Sequence, residues 1–178
     1  AVPAVIRYGF GFVQGANAAA VDMDIAEEVT VEYVYGGQFF GDADITGVID
    51  TWYQTLGVEV VFACGGGIYT SAVEAAKKYE AKVIGVDVDQ SYIDECIITS
   101  AMKQLQNVTE TVLEALNTGA WDTYAAKVSN FSLAEGEYVG LPTAETSWRL
   151  NTFTVEEYET VKAAIIDGSI AVSNTTEA

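Results

Sequence analysis

GVEVVFACGGGIYTSAVEAAKKYEAKVIGVDVDQ, residues 57–90, decides the fold. Its first apolar run, 58–64 (VEVVFAC), is nearly continuous, the pattern of a strand covered on both faces. Gly65-Gly66-Gly67 ends that run. Residues 70–79 then put Ala72, Val73, Ala76 and Tyr79 on an inward helical face, with Glu74, Lys77 and Lys78 outward. A second buried run follows at 82–86 (KVIGV), with Asp87 directly after it. Strand, helix and strand in such short succession make a βαβ unit, the building block of a parallel sheet.

The same rhythm extends outward from this unit. Residues 29–35 (VTVEYVY) alternate Val29, Val31, Tyr33 and Tyr35 against Thr30, Glu32 and Val34, which predicts a strand closed by Gly36-Gly37. Asp42 or Asp44 caps a helix running to Leu56, where Gly57 stops it. Residues 4–20 read as a helix, although Gly9, Gly11 and Gly15 weaken it. A short strand at Ile97–Thr99 leads into a helix at about 100–117. The fold class is therefore α/β: a Rossmann-like parallel sheet with helices on both faces. The rhythm breaks after residue 120. Residues 121–153 read as irregular, a helix at 154–167 opens on a Thr154/Glu157 capping box, and Ile170–Val172 reads as a last short strand. The tail, 173–178 (SNTTEA), is polar and expected to be disordered.

Composition excludes whole classes of function. The 178 residues contain no His, so neither Ser-His-Asp nor Cys-His catalysis is available, nor any His-based metal site. Only 8 Lys and Arg face 26 Asp and Glu, a net charge of -18 that repels nucleic-acid backbones. Two Cys exclude a disulfide scaffold; with a strand expected between them, Cys64 and Cys96 read as free, buried thiols. No nucleophile has a visible base, so no catalytic residues, metal or cofactor are expected, and the chain does not read as an enzyme. No apolar run approaches the ~20 residues of a spanning helix.

In an open parallel sheet, ligands gather at the carboxyl ends of the strands. Those ends here carry Phe39 and Phe40, the bare backbone of Gly65–Gly67, Asp87, and Ser100 with Lys103 on the first turn of its helix. An aromatic face, a carboxylate and an ammonium suit a flat ring joined to a hydroxylated sugar. Each member also has a plain structural reading: aromatics plugging the sheet end, a tight glycine turn, an Asp capping a helix, a solvated Lys. What carries the argument is the convergence of four strand ends.

These residues also resemble a known family. The 57–90 stretch is similar to the core signature of the basic membrane protein (BMP) family of solute-binding lipoproteins. ITSAMKQLQNVTETVLEAL (98–116) resembles that family's TS-x-x-K helix, VPAVIRYGFGFVQGANAA (2–19) the first helix of its second lobe, and residues 140–172 its closing segment. The resemblance implies the type I periplasmic-binding-protein fold, two Rossmann-like lobes around a cleft. It implies an extracytoplasmic solute-binding component of an ABC importer, purine-nucleoside-receptor-like and partnered by an ABC permease. A ligand-sensing protein of the same fold is the alternative. By motif, Phe39 would stack on the base, Gly66 would offer backbone, and Asp87 and Lys103 would reach the ribose. The family's usual AGGTG is CGGGI here. The implied organisation is a second lobe at 1–120 without its first strand, a returning segment at 121–172, and the tail. The full-length parent is expected to be a cell-surface lipoprotein.

A strand order of 2-1-3-4-5 would put the missing strand between 29–35 and 58–64. Unpaired backbone in the middle of a sheet is costly, roughly 1–3 kcal/mol per buried group. The expectation is that a companion chain fills the gap, that the two strands pair directly, or that a second copy swaps in. Direct pairing with self-association is the favoured outcome.

Overall fold

The computed structural model describes residues 2–175. Three strands lie parallel in sequence order: β1 (Val60–Phe62), β2 (Lys82–Asp87) and β3 (Ile97–Lys103). A two-residue strand, β4 (Val139–Gly140), closes the far edge antiparallel to β3. Among the described residues five α-helices accompany them: α1 (Pro3–Asp22), α2 (Ala43–Thr51), α3 (Tyr69–Tyr79), α4 (Leu105–Asn117) and α5 (Val155–Ile166). The expected α/β class with a mostly parallel sheet is what the chain forms.

The period of two along β1 explains why helices cover both faces. Val61 and Ala63 turn into the main core with Ile49 and Tyr53 from the α2 side and Ala72, Ala75 and Ala76 from α3. The intervening Phe62 meets Phe12 of α1 with ring centroids 5.4 Å apart, and the Cys64 thiol lies 3.5 Å from the Val5 carbonyl. The alanine stripe of α3 is fully buried, so that helix sits close against the sheet. Tyr79, expected inward on the same helix, is instead exposed at its margin, although its ring still lies near Tyr53.

Caps fall where the sequence puts them. Asp42 accepts from Ile45 N at 2.9 Å to start α2, and Gly57 (φ 69°) ends the π-turn that follows it. Thr154 and Glu157 form the expected capping box of α5.

Four expectations need correction. First, residues 29–35 form no strand, and they do not pair with β1. A strand exists only through a ladder, and among the described residues no backbone hydrogen bond joins this segment to another. Direct pairing across the gap is therefore not the outcome; a cavity of about 890 Å³ lies between the two segments. Second, β3 runs to Lys103 and α4 starts only at Leu105, because β4 pairs Lys103 with Val139 and holds it extended. Third, residues 170–172 make no strand: they are exposed and have no ladder partner among the described residues. Fourth, the tail is ordered at its start. Gln14 of α1 exchanges hydrogen bonds with the Ser173 backbone at 2.9 and 2.8 Å, and Arg7 donates to the Asn174 carbonyl. Residues 176–178 lie outside the described residues. Both cysteines are free as expected, but Cys64 is only half-buried.

Candidate functional site

The four expected site residues resolve into two contacting pairs at the carboxyl ends of the strands. Phe39 and Gly66 form the first. Gly67 N donates to the Phe39 carbonyl at 2.7 Å, and a parallel bridge joins Phe40 to Gly67. Gly66 has φ 54°, and a Cβ there would stand 3.1 Å from the Phe39 carbonyl oxygen, so only glycine sits there without strain. Phe39 as a residue is 54% exposed. The side chain stands beside the Gly66 backbone and lines the cavity of about 890 Å³.

Asp87 and Lys103 form the second pair. Asp87 ends β2, Lys103 ends β3, and the ammonium stands 2.6 Å from Asp87 Oδ1. That oxygen is closed to solvent and takes no well-directed hydrogen bond, so the contact is held by charge. Yet both side chains remain about one-third exposed, at 37% and 36%. The pair is thus anchored on one side and open on the other. The Lys103 ammonium also sits 5.2 Å from the centre of the Tyr8 ring, a cation–π contact from α1.

The backbone beneath Asp87 is built to aim it. Asp87 has φ 70°, and Val88 N donates to the Val86 carbonyl at 2.9 Å, which makes a γ-turn with the carboxylate at its tip. Positive φ outside glycine costs free energy and persists only where the surroundings over-determine it. Here Gln90 does so: its side-chain oxygen accepts from Val86 N at 3.1 Å, and its own N–H donates to Ser100 Oγ at 3.0 Å. Gly85 leaves room for this, since a Cβ would lie 2.5 Å from Gln90 Oε1 and 2.7 Å from Ser100 Oγ. Farther on, Ser147 donates to Asp89 and receives from Ser91, while Arg149 donates to the carbonyls of Ser91, Asp94 and Ile97 at 2.9–3.0 Å. Burial opposes ionisation of Asp89, but the Ser147 hydroxyl and the Ser91 amide outweigh it and hold the carboxyl below its usual range.

Among the described residues no hydrogen bond or ion pair joins the Phe39–Gly66 pair to the Asp87–Lys103 pair. Cys64 and Tyr8 stand by the second pair, and Cys64 directly precedes the glycine run of the first. Burial pushes the Cys64 thiol up to about 11, against the pull of the Lys103 ammonium. Burial, with the Asp87 charge adding to it, pushes the Tyr8 hydroxyl up to about 12. Both groups stay protonated at neutral pH, so the edge offers a thiol and a phenol as neutral neighbours. Tyr8, Gln90 and Arg149 were not singled out from the sequence. The signal for Gln90 was Gly85, a lone glycine inside a strand, which marks close approach by another group. Nothing local marks Tyr8 or Arg149, because each acts across a long stretch of chain. Among the described residues no group of three or more His, Cys, Asp or Glu is placed to hold a metal.

A family model described as "ABC transporter substrate-binding protein PnrA-like" matches residues 1–176. The chain belongs to the Bmp family. Members of this family are substrate-binding proteins. Among solved structures, the chain is similar to an ABC transporter solute-binding protein from Aeropyrum pernix K1, with TM-score 0.72 and 20% identity, covering 99% of this chain and 56% of that one. It is also similar to a transcriptional activator of the comK gene from Bacillus halodurans, with TM-score 0.60 and 21% identity, covering 84% of this chain and 50% of that one. The chain thus spans about half the length of these structures, with which it shares the type I periplasmic-binding-protein fold. No curated protein matches it. No helix among the described residues is long and apolar enough to cross a membrane.

Proposed function

We propose that this chain supplies one wall of the solute site of an ABC-importer binding protein, and that the solute is a nucleoside. In this reading residues 1–120 are most of the second lobe, and residues 121–172 are a returning segment that serves both lobes. The observation that carries the proposal is the half-open Asp87–Lys103 pair on its constrained turn. A carboxylate accepts hydrogen bonds from two vicinal hydroxyls, and an ammonium donates to the same oxygens. The exposed Phe39 ring, with the Gly66 backbone beside it, supplies a stacking face for a base. The full-length protein would close its two lobes over the ligand, be held at the outer membrane face by a lipid, and deliver to a permease. The family match favours transport over signalling; the transcriptional activator contributes the likeness of its fold alone.

The test is calorimetric titration with a purine ribonucleoside, its free base and ribose, on wild type and on Asp87→Ala. Losing a charge-assisted hydrogen bond costs about 1.5–3 kcal/mol, so the nucleoside should weaken by that amount while the base is unchanged. Equal loss for nucleoside and base would remove Asp87 from the sugar and overturn the assignment. A ligand set without nucleosides would overturn the substrate class.

A further inference from the structure

Both partners of the Asp87–Lys103 pair are tied to one stretch of chain that is distant from them in sequence. At its start, β4 pairs Val139 with Lys103 and Gly140 with Met102, and Gln104 N donates to the Tyr138 carbonyl at 2.8 Å. At its end, Ser147 reaches the loop that carries Asp87. Its hydroxyl donates to Asp89 Oδ2 at 2.5 Å and accepts from Ser91 Oγ at 3.1 Å, while Ser91 N donates to Asp89 Oδ1 at 2.9 Å. Each oxygen of the Asp89 carboxylate thus has a donor, and Ser91 and Ser147 are both buried. Arg149 N adds a bond to the Ile98 carbonyl at 3.3 Å. Between its two ends the stretch is fixed at the N-terminal end of α5. Leu141 N donates to the Tyr158 hydroxyl at 3.0 Å, and the Trp148 ring stacks on Phe153 and packs against Tyr158.

We propose, resting on the nucleoside reading for the identity of the solute alone, that residues 138–149 are a brace that sets Asp87 and Lys103 against each other, with Ser147 as the positioning residue on the Asp87 side. Parallel strands bring the two residues together but leave both at strand ends. Asp87 stands at the tip of a turn with φ 70°, and Lys103 is the last residue of β3. Such a turn persists only where its neighbours over-determine it. Gln90 holds it from the sheet side through Val86 N and Ser100 Oγ. The brace holds it from the other side: Asp89 is two residues from Asp87, and a shift of Asp89 leaves the buried Ser147 hydroxyl without its acceptor. Lys103 is held by the same stretch, because pairing with Val139 keeps it extended. A solute that donates to the carboxylate and accepts from the ammonium at once senses their relative placement on the scale of about 1 Å. Moving the brace therefore displaces both charges, whereas removing the Ser147 hydroxyl loosens Asp87 alone.

The test compares Ser147→Ala and Tyr53→Phe with wild type. Tyr53 donates to the Lys82 carbonyl at 2.8 Å, at the opposite end of β2 from Asp87, so its loss removes a hydrogen bond without touching the brace. Amide hydrogen exchange of the free protein reads Val86 and Gln90, whose N–H groups tie the Asp87 turn to the sheet. Ser147→Ala should speed both amides by about tenfold, the equivalent of one hydrogen bond, and Tyr53→Phe should speed neither by as much. Calorimetry with adenosine and 2′-deoxyadenosine reads the solute side: the preference of wild type for adenosine should narrow in Ser147→Ala and persist in Tyr53→Phe. Three outcomes overturn the proposal: unchanged exchange in Ser147→Ala, equal acceleration in Tyr53→Phe, or an undiminished preference for adenosine in Ser147→Ala. If wild type binds neither nucleoside, the proposed substrate class falls and the exchange comparison alone decides the brace. If Ser147→Ala does not fold, Asp89→Asn, which keeps the volume and weakens both bonds to the carboxylate, takes its place with the same expected directions.

Discussion

The two edges of the sheet are opposites. At the β3 edge, β4 pairs with Met102 and Lys103, and the returning segment sends in Arg149 and Ser147 to occupy the carbonyls and hydroxyls around Asp89 and Ser91. At the β1 edge, an alternating segment with the composition of a strand stays unladdered, and its valines and tyrosines face an open groove. Both regions carry strand-forming residues. They differ in having a partner within reach, and in a sheet the partner is half of the structure.

The largest expected effect lies on the closed side. Arg149→Ala removes donors from three carbonyls at once, and about 3 kcal/mol should be lost, seen as a lower urea midpoint. Tyr35→Ala on the open side should change stability by less than about 0.5 kcal/mol, because the ring is half exposed and its main chain unbonded. Comparable losses for the two would erase the contrast between the edges.

Next in size is Gly85→Ala, which drives a Cβ into Gln90 Oε1 and Ser100 Oγ. Overpacking of this kind costs about 1–3 kcal/mol. It should also release the Asp87 turn, so nucleoside affinity and the Val86 amide protection should fall together. A destabilised variant with unchanged affinity would show that Gln90 does not aim Asp87.

The smallest effect is an acid one. The Cys96 amide, and then the Lys77 ammonium at 2.9 Å, hold Asp94 down at about 2. A carboxyl depressed in the folded state contributes stability above its unfolded value near 4, and that contribution is lost as the pH falls toward 2. Because the group is largely solvated, the slope should be shallow. Asp94→Asn should flatten it in urea melts taken between pH 4 and 2. An unchanged slope would place the acid sensitivity elsewhere.

Residues 57–90 were legible because their information is local. Apolar runs, a helical stripe and punctuating glycines set β1, α3 and β2 in order, and Asp42, Gly57 and Thr154 marked the helix ends through bonds to near neighbours. The candidate site was legible at the level of its pairs. Asp87 and Lys103 meet because β2 and β3 run parallel and end together, and Phe39 meets Gly66 beside the single bridge between Phe40 and Gly67.

What the amino-acid order determined by itself was therefore the α/β class, the strand–helix–strand order of residues 57–90 and the residues that follow those strands. Tertiary structure alone decided three things: that 29–35 stays unladdered, that Lys103 is held in a strand and not in a helix, and that Arg149 locks the loop beyond β2. Helices and turns satisfy their backbone within a few residues, so sequence nearby suffices to specify them. Strand pairing and long-range caps satisfy theirs with groups far along the chain or outside it, so the same residues become a strand or an open wall according to what lies alongside.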